Sequence, residues 1–220
     1  MTIGLPGIDR LPSLDRARAG ERGITIGDFL VPIQISERLN ARARHLALIL
    51  LGTLVISLAA QVSIPVPGSP VPVTGQTFGV LLTAGALGFR RSIASTVLYL
   101  VIGIVGLPVF AGGAHGMEWV SGATGGYLIG FVVAGAAVGR LAELGWDRNL
   151  LGSVGAMLIG NVVIYLFGLP WLAYQAHLDA PTTISEGLTP FLVGDVLKLA
   201  LAAALFPAAW WVVGRRPGDR

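Results

Sequence analysis

The chain has 220 residues and a formal net charge of +3, with 54% hydrophobic and only 12% charged residues. A soluble domain typically carries about 25% charged residues, so this composition excludes a disordered chain and an ordinary water-soluble enzyme. It also excludes a nucleic-acid-binding domain, because the arginines are spread along the chain and form no basic face.

Much of the charge lies in the first 44 residues, which carry seven arginines and five acidic residues. Acidic and basic residues are mixed there, and no apolar core precedes a small-residue cleavage site, so the pattern does not indicate a signal peptide. We predict that residues 1–44 form a flexible cytoplasmic extension. A membrane domain over residues 45–213 and a cytoplasmic tail over residues 214–220 are predicted to follow it.

The membrane domain consists of long apolar stretches that are separated by turn-forming residues. A helix needs about 20 apolar residues to cross the hydrocarbon core of a bilayer. Cutting the sequence at its turn signals gives six stretches near this length, at residues 45–64, 74–89, 92–109, 122–139, 150–171 and 190–213. We therefore predict an all-α integral membrane protein, a bundle of six transmembrane helices.

The arginines indicate how this bundle is oriented. They precede the first stretch, join the second to the third and the fourth to the fifth, and follow the sixth: Arg38, Arg42, Arg44, Arg90, Arg91, Arg140, Arg148, Arg215, Arg216 and Arg220. The other three loops, residues 65–73, 110–121 and 172–189, contain no lysine or arginine. Because positively charged loops tend to stay in the cytoplasm, both termini are predicted to be cytoplasmic.

Small residues stand at the cytoplasmic start of the first stretch, where Ala43 and Ala47 are one helical turn apart. Small residues at this spacing let two helix backbones approach closely in a membrane. The pattern leaves two interpretations open, packing inside the bundle or docking to another membrane protein.

Glycine and proline recur together at the outer ends of the predicted spans, in residues 106–108, 168–170 and 187–190. Both residue types stop or kink helices, so we predict a helix break at each position. Irregular backbone at membrane depth is tolerated where it lines a cavity. The breaks therefore indicate a cavity on the extracellular side.

Two ionisable side chains lie inside the sixth stretch, Asp195 and the single lysine of the chain, Lys198. Intramembrane charges are costly and usually face a bundle interior or a water-filled cavity, and the i, i+3 spacing puts both on one helix face. They form either a structural ion pair or a polar binding site. A site with one acceptor and one cation fits a ligand with N–H donors at one end and a carboxylate at the other.

Further candidate binding residues cluster at the outer ends of the spans. Asn161 and Tyr165 are one helical turn apart in the fifth span and can form hydrogen bonds with a ligand or with a neighbouring helix. The other candidates would provide close backbone approach, ring contact or polar contact, and they are Gln76, Phe110, Trp119, Gly125, Gly126 and Tyr127. Each is a weak signal alone, but their convergence predicts one ligand site.

Motifs for catalysis and metal binding are absent from the sequence. The single lysine is not part of a Walker A loop, and the three histidines lie in separate segments without an HExxH motif. The sequence also has no GxSxG motif and no cysteine. We therefore expect neither an enzyme nor a resident metal or cofactor.

Six short motifs occur in order between residues 43 and 213. They are Ile64-Pro-Val-Pro67, Pro72-Val-Thr-Gly-Gln-Thr-Phe-Gly79, Gly106-Leu-Pro-Val-Phe-Ala-Gly-Gly113, Thr124-Gly-Gly-Tyr-Leu-Ile-Gly-Phe131, Asn161-x-x-x-Tyr165-x-x-Gly168 and Pro190-Phe-x-x-Gly-Asp195-x-x-Lys198. Together they resemble the BioY family, the biotin-binding S components of energy-coupling factor (ECF) vitamin transporters.

The resemblance implies a six-helix bundle in the bacterial cytoplasmic membrane that captures biotin with high affinity near its extracellular side. Asp195 would accept hydrogen bonds from the ureido group, and Lys198 would pair with the valerate carboxylate or with Asp195. The family also implies a transmembrane T component and separate ATPases as partners. Ala43 and Ala47 would then form the face that meets the T component.

Two other functions fit the residues. In a proton-coupled secondary transporter of a small carboxylate-bearing vitamin, Asp195 would carry the proton. In a structural membrane subunit, Asp195 and Lys198 would be an internal ion pair, and no ligand would bind.

Overall fold

The structure, a computed structural model, describes residues 25–30 and 41–213, most of which are helical. Two-residue strands β1 (Ser63–Ile64) and β2 (Val73–Thr74) pair antiparallel, with Ser63 opposite Thr74. Short 3-10 turns lie at Ala111–Gly113 and Trp146–Arg148. The helices are α1 (Gly27–Leu30), α2 (Ala41–Gln61), α3 (Gln76–Leu87), α4 (Phe89–Val105), α5 (Met117–Ser121), α6 (Gly125–Glu143), α7 (Leu150–Ala176), α8 (Ala180–Gly187) and α9 (Thr189–Val213).

Each of the six predicted spans overlaps one helix of at least 12 residues, namely α2, α3, α4, α6, α7 or α9. In the described part of the chain, four stretches are long and apolar enough to cross a membrane: Arg42–Gln61, Gly125–Glu143, Leu150–Ala176 and Ala180–Val212. Helix α3 is apolar but has only 12 residues, and α4 has 17. The chain is thus a mostly helical membrane protein. The predicted extension and tail, including Arg38, Arg215, Arg216 and Arg220, lie largely outside the described residues.

Two of the three predicted helix breaks are present in the structure. Helix α4 ends before Gly106, whose φ of 116° is one that other residues rarely adopt, and α8 ends at Gly187. The break predicted at residues 168–170 is wrong, because α7 continues through Pro170 to Ala176. Contacts with the loop between α5 and α6 stabilise this extension, since the Trp171 indole N–H donates to the Gly122 carbonyl at 2.8 Å. Neighbouring helices commonly allow proline inside a transmembrane helix.

Helix α6 lies at the centre of the bundle. In the most apolar 18-residue stretch of α6, 61% of the residues are buried, against 28% in the corresponding stretches of α2 and α7. Hydroxyl groups join the neighbouring helices by donating to backbone carbonyls: Thr53 to Ser95 at 3.0 Å, Ser95 to Ile49 at 3.0 Å, and Ser92 to Gly135 at 2.8 Å. Such interhelical bonds complement van der Waals packing where lipid provides no hydrophobic drive.

The arginines that the structure describes gather at one end of the bundle. Arg44 of α2 and Arg91 of α4 both bind the Asp28 carboxylate. Glu143, at the end of α6, accepts the backbone N–H of Phe89 at 2.9 Å and brings α6 to the same end. The β1–β2 hairpin, α5 and α8 lie at the opposite end, which is called the hairpin end below. The end at which the arginines gather is called the basic end and is defined by Arg44, Arg91, Arg140 and Arg148.

A buried carboxylate at the basic end predicts a dependence of stability on pH. Asp147 lies in the turn between α6 and α7, is 3% exposed, and accepts the Trp210 indole N–H at 2.6 Å. Burial raises the pKa of Asp147 to about 6, although the Trp210 hydrogen bond and the charge of Arg148 oppose the increase.

Because the pKa of Asp147 is higher in the folded state, its contribution favours folding below about pH 4 and is lost as the pH rises through 6. We expect Asp147→Asn to be more stable than the wild type at pH 7, by up to about 3 kcal/mol. The difference should shrink towards pH 4. Thermal unfolding in detergent across this pH range measures it, and a variant that is no more stable at pH 7 would contradict the expectation.

Candidate functional site

A cavity lies at the hairpin end, between the N-terminal halves of α3, α6 and α9 and the outer half of α7. The hairpin contributes its loop and β2, and the Ala111–Gly113 turn contributes one residue. The lining residues are Val71, Pro72, Thr74, Gln76, Thr77, Ala111, Thr124, Tyr127, Leu128, Phe131, Ile164, Tyr165, Phe191 and Lys198. The cavity is therefore mostly apolar and aromatic, with a few hydroxyl and amide groups and one cation, as is typical of small-molecule sites.

The charged part of the site is formed by Asp195 and Lys198 on one face of α9. Asp195 is only 6% exposed, and the Lys198 ammonium lies 3.3 Å from its Oδ1 atom. The Tyr165 hydroxyl donates to the other carboxylate oxygen, and Lys198 donates to the Thr77 hydroxyl at 2.9 Å. Lys198 and Tyr165 line the cavity while Asp195 lies behind them. The site thus presents a fixed cation whose charge is balanced by a buried carboxylate.

An aromatic wall stands beside this ion pair. The Tyr127 ring stacks on Phe191, with centroids 6.3 Å apart, and meets Tyr165 edge to face at 6.4 Å. The Tyr127 hydroxyl donates to the Gly187 carbonyl at 2.9 Å, which fixes the ring. A side chain at Gly168 would place its Cβ 2.5 Å from the Tyr127 ring. Glycine at this position is therefore required for the helix to approach the ring.

Gln76, the first residue of α3, lines the cavity from the hairpin side. Its amide nitrogen donates to the Tyr99 hydroxyl, and its carbonyl oxygen accepts the Thr74 hydroxyl at 3.0 Å. These bonds hold the Gln76 amide in one orientation. The amide is a second polar group in the cavity lining, in addition to Lys198.

The structure places three other predicted residues next to the cavity lining. Asn161 lies in a smaller adjoining cavity that also contacts Lys198. Phe110 is fully buried against Tyr99, with ring centroids 5.4 Å apart. Trp119 is half-buried on α5, and its carbonyl accepts the hydroxyl of the lining residue Thr124 at 2.9 Å.

Gly125 and Gly126 lie at the start of α6, where they permit close packing of α7. A Cβ at Gly126 would lie 2.3 Å from the Trp171 Cβ, and one at Gly125 would lie 2.0 Å from the Val120 carbonyl. Packing thus accounts for both glycines without reference to a ligand.

Two residues that contact Lys198 or Tyr127 were not singled out from the sequence, Thr77 and Phe191. Thr77 directly follows Gln76, but its bond to Lys198 joins residues 121 positions apart, and no periodicity of the sequence indicates that contact. Phe191 could have been identified from the sequence, because it belongs to the same motif as Asp195. Within the described residues, no group of three His, Cys, Asp or Glu side chains could hold a metal ion.

Comparison with known proteins identifies the family of this chain. Residues 34–215 match the model of the BioY family. The biotin transporter BioY2 of Lactococcus lactis is 33% identical over 165 residues, which cover 74% of this chain and 87% of the relative. The biotin transporter BioY of Thermotoga maritima is 36% identical over 153 residues, 70% of this chain and 88% of the relative.

A solved structure with the same architecture is described as the S-component for biotin from an ECF-type ABC transporter. It superimposes with a TM-score of 0.71 and 25% sequence identity, and the match covers 80% of this chain and 98% of that chain. The family match extends over most of the sequence and includes every residue of the cavity described above. The chain therefore belongs to the BioY family.

Proposed function

We propose that this chain captures biotin with high affinity at the hairpin end and delivers it across the membrane as the S component of an ECF transporter. The observation that carries the proposal is the Asp195–Lys198 pair, which lies inside an apolar helix next to an aromatic cavity. An intramembrane ionisable pair beside a cavity is typical of a substrate site. Family membership and the biotin relatives support the same ligand.

The chemistry of biotin fits these side chains. Its bicyclic ring system has an apolar, sulfur-containing side that would pack against Tyr127 and Phe191, which already stack on each other. A carboxylate can accept about four hydrogen bonds, and Asp195 accepts two within the protein. Asp195 therefore keeps acceptor positions, and the ureido N–H groups would reach them once Tyr165 or Lys198, which stand between Asp195 and the cavity, turns aside. Lys198 would pair with the valerate carboxylate or remain on Asp195.

The other predicted contacts belong to the same proposal. Tyr165 and Asn161 would add hydrogen bonds to the ligand, and Gln76 would add another from the hairpin side. Phe110 and Trp119 would support the wall of the cavity, as would the backbone at Gly125 and Gly126. In the described structure Gln76 and Tyr165 line the cavity directly, so they are the first of this group to test.

We further propose that six helices span the bacterial cytoplasmic membrane, with both termini and the basic end in the cytoplasm. The gathering of Arg44, Arg91, Arg140 and Arg148 at one end supports this orientation, because positive residues favour the cytoplasmic side. The partners would be a T component and ATPase subunits, and the T component would dock on Ala43 and Ala47. Ala47 is exposed and Ala43 is half-buried, which favours docking over packing inside the bundle.

Biotin titration calorimetry on the purified protein in detergent tests the ligand. We expect saturable binding near one biotin per chain, with weaker binding of desthiobiotin and lipoate. Biotin should also raise the thermal unfolding temperature, because a ligand that binds only the folded state stabilises it. Absence of binding by protein that still unfolds cooperatively would contradict the proposal.

A further inference from the structure

Residues 25–30, called the strap below, fold onto the basic end although they precede the region matched to the family. Ile26 is 5% exposed. A Cβ at Gly27 would lie 2.8 Å from the Leu87 side chain and 3.0 Å from the Ala86 carbonyl. The Phe29 ring meets Trp210 edge to face, with centroids 5.8 Å apart. The strap therefore packs tightly against the end of α3 and reaches α9.

Asp28 is the polar centre of the strap. Its Oδ1 atom lies 2.8 Å from Arg91 and 3.3 Å from Arg44, and Arg44 also donates to the Asp28 backbone carbonyl at 2.6 Å. The Oδ2 atom accepts the backbone N–H and the hydroxyl of Thr25, both at 3.1 Å. Burial acts to raise the pKa of Asp28, but these hydrogen bonds and the charge of Arg91 outweigh it and hold the pKa below its usual range. Asp28 is thus an ionised counter-ion shared by two helices.

Arg44 borders the proposed docking face on α2. It directly follows Ala43 and lies three residues before Ala47, so it is within one helical turn of both. The outward face continues along the helix through Leu50 and Leu54, which are 59% and 52% exposed. No other described residue covers this face. A helix that packed on it would therefore remove water from the neighbouring arginine.

We propose that the strap is part of the surface that receives the T component, with Asp28 as a positioning residue that neutralises Arg44 and Arg91. The inference rests on the proposed function, because it takes the docking partner from there. A charge that loses water without a counter-ion strongly opposes association. With Asp28 in place, the transmembrane helix of the partner covers Ala43 and Ala47 without burying an unpaired arginine.

An apolar groove beside the face supports a helical partner. The groove runs between α2, α3 and α9, has a volume of about 290 Å³, and begins at Ile26 of the strap. Leu51 and Val55 of α2 and Leu82 of α3 form its walls. A partner helix on the small-residue face would place apolar side chains in this groove. The strap closes the groove at the basic end and also neutralises the charge there.

The test compares the variant Asp28→Asn with the double variant Asp28→Asn/Arg44→Gln. The tagged chain is expressed with the T component and ATPases of its own genome in a host that lacks biotin uptake. Asp28→Asn should reduce the recovery of the T component and the rate of uptake by about tenfold, since it leaves a partly buried arginine without its carboxylate. The double variant should recover part of both, because it removes the arginine that borders the docking face, while Arg91 still lacks its carboxylate.

Asp179→Asn is the matched control, because it makes the same change at the hairpin end, where asparagine caps α8 as well as aspartate does. All three variants should bind biotin within about twofold of the wild type, since the strap is distant from the cavity and Asp179 is an exposed cap that does not line it. A parallel loss of biotin affinity in Asp28→Asn would overturn the inference in favour of a merely structural strap. Normal recovery of the T component in Asp28→Asn, or no improvement in the double variant, would also overturn it.

Failure of the proposed function gives a different result. Wild-type protein that binds no biotin contradicts the ligand proposal, whatever the strap variants do. Wild-type protein that binds biotin but recovers no T component overturns the partner proposal and this inference, while the ligand proposal stands.

Discussion

Replacing Asp195 with asparagine is expected to weaken biotin binding by tenfold or more, since a hydrogen bond to a charged group contributes about 1.5–3 kcal/mol. The substitution removes the carboxylate that lies 3.3 Å from the Lys198 ammonium and leaves that cation unbalanced inside an apolar helix. It also turns one of the two acceptor oxygens into an N–H donor, which cannot accept a hydrogen bond from the Lys198 ammonium or from a ureido N–H group. Titration calorimetry of the purified variant measures the loss.

Two further variants separate the causes of this loss. Tyr165→Phe removes one hydroxyl donor but keeps the ion pair, so its effect should be smaller than that of Asp195→Asn. Asp179→Asn makes the same chemical change at an exposed cap of α8 and should leave the affinity unchanged. If Asp195→Asn folds and binds biotin as tightly as the wild type, Asp195 does not act in ligand binding.

Replacing Ala47 with tryptophan is expected to abolish uptake while biotin binding is retained. Ala47 is exposed on α2, and an indole there would keep a partner helix from the close backbone approach that small residues permit. Uptake of labelled biotin by cells that also express the T component and ATPases measures the first effect. Calorimetry on the purified variant measures the second.

Ala200→Trp is the control for this substitution, because Ala200 is also an exposed alanine on a long apolar helix but lies on α9. It should leave both uptake and binding close to the wild type. Loss of biotin binding in Ala47→Trp would mean that the face packs within the bundle after all. Normal uptake in Ala47→Trp would exclude this face as the site of docking.

Several features of the molecule could be predicted from sequence because they are local or periodic. The apolar stretches predicted the approximate positions of the long helices, since a helix in apolar surroundings satisfies its own backbone polar groups. The i, i+3 spacing put Asp195 and Lys198 on one face of one helix, and the structure has them in contact. The arginine pattern anticipated that the described arginines would gather at one end of the bundle.

The contacts between helices could not be predicted in this way. Phe110 packs against Tyr99 behind the cavity, Asn161 lies in an adjoining cavity, and Thr77 binds Lys198. Helix α7 continues through Pro170 where the sequence indicated a break. Each of these outcomes depends on which helix face meets which neighbour, and at what depth.

The sequence by itself therefore determined the class of protein, the approximate positions of the long apolar helices and the charged pair on α9. Tertiary structure decided the shape of the cavity, the residues around Lys198 and the packing of the strap on the basic end. The physical reason is that lipid is as apolar as a leucine side chain, so hydropathy specifies which segments lie in the membrane but not which faces pack together. Close packing of small residues and a few hydrogen bonds between helices make that selection, and they join residues far apart in the chain.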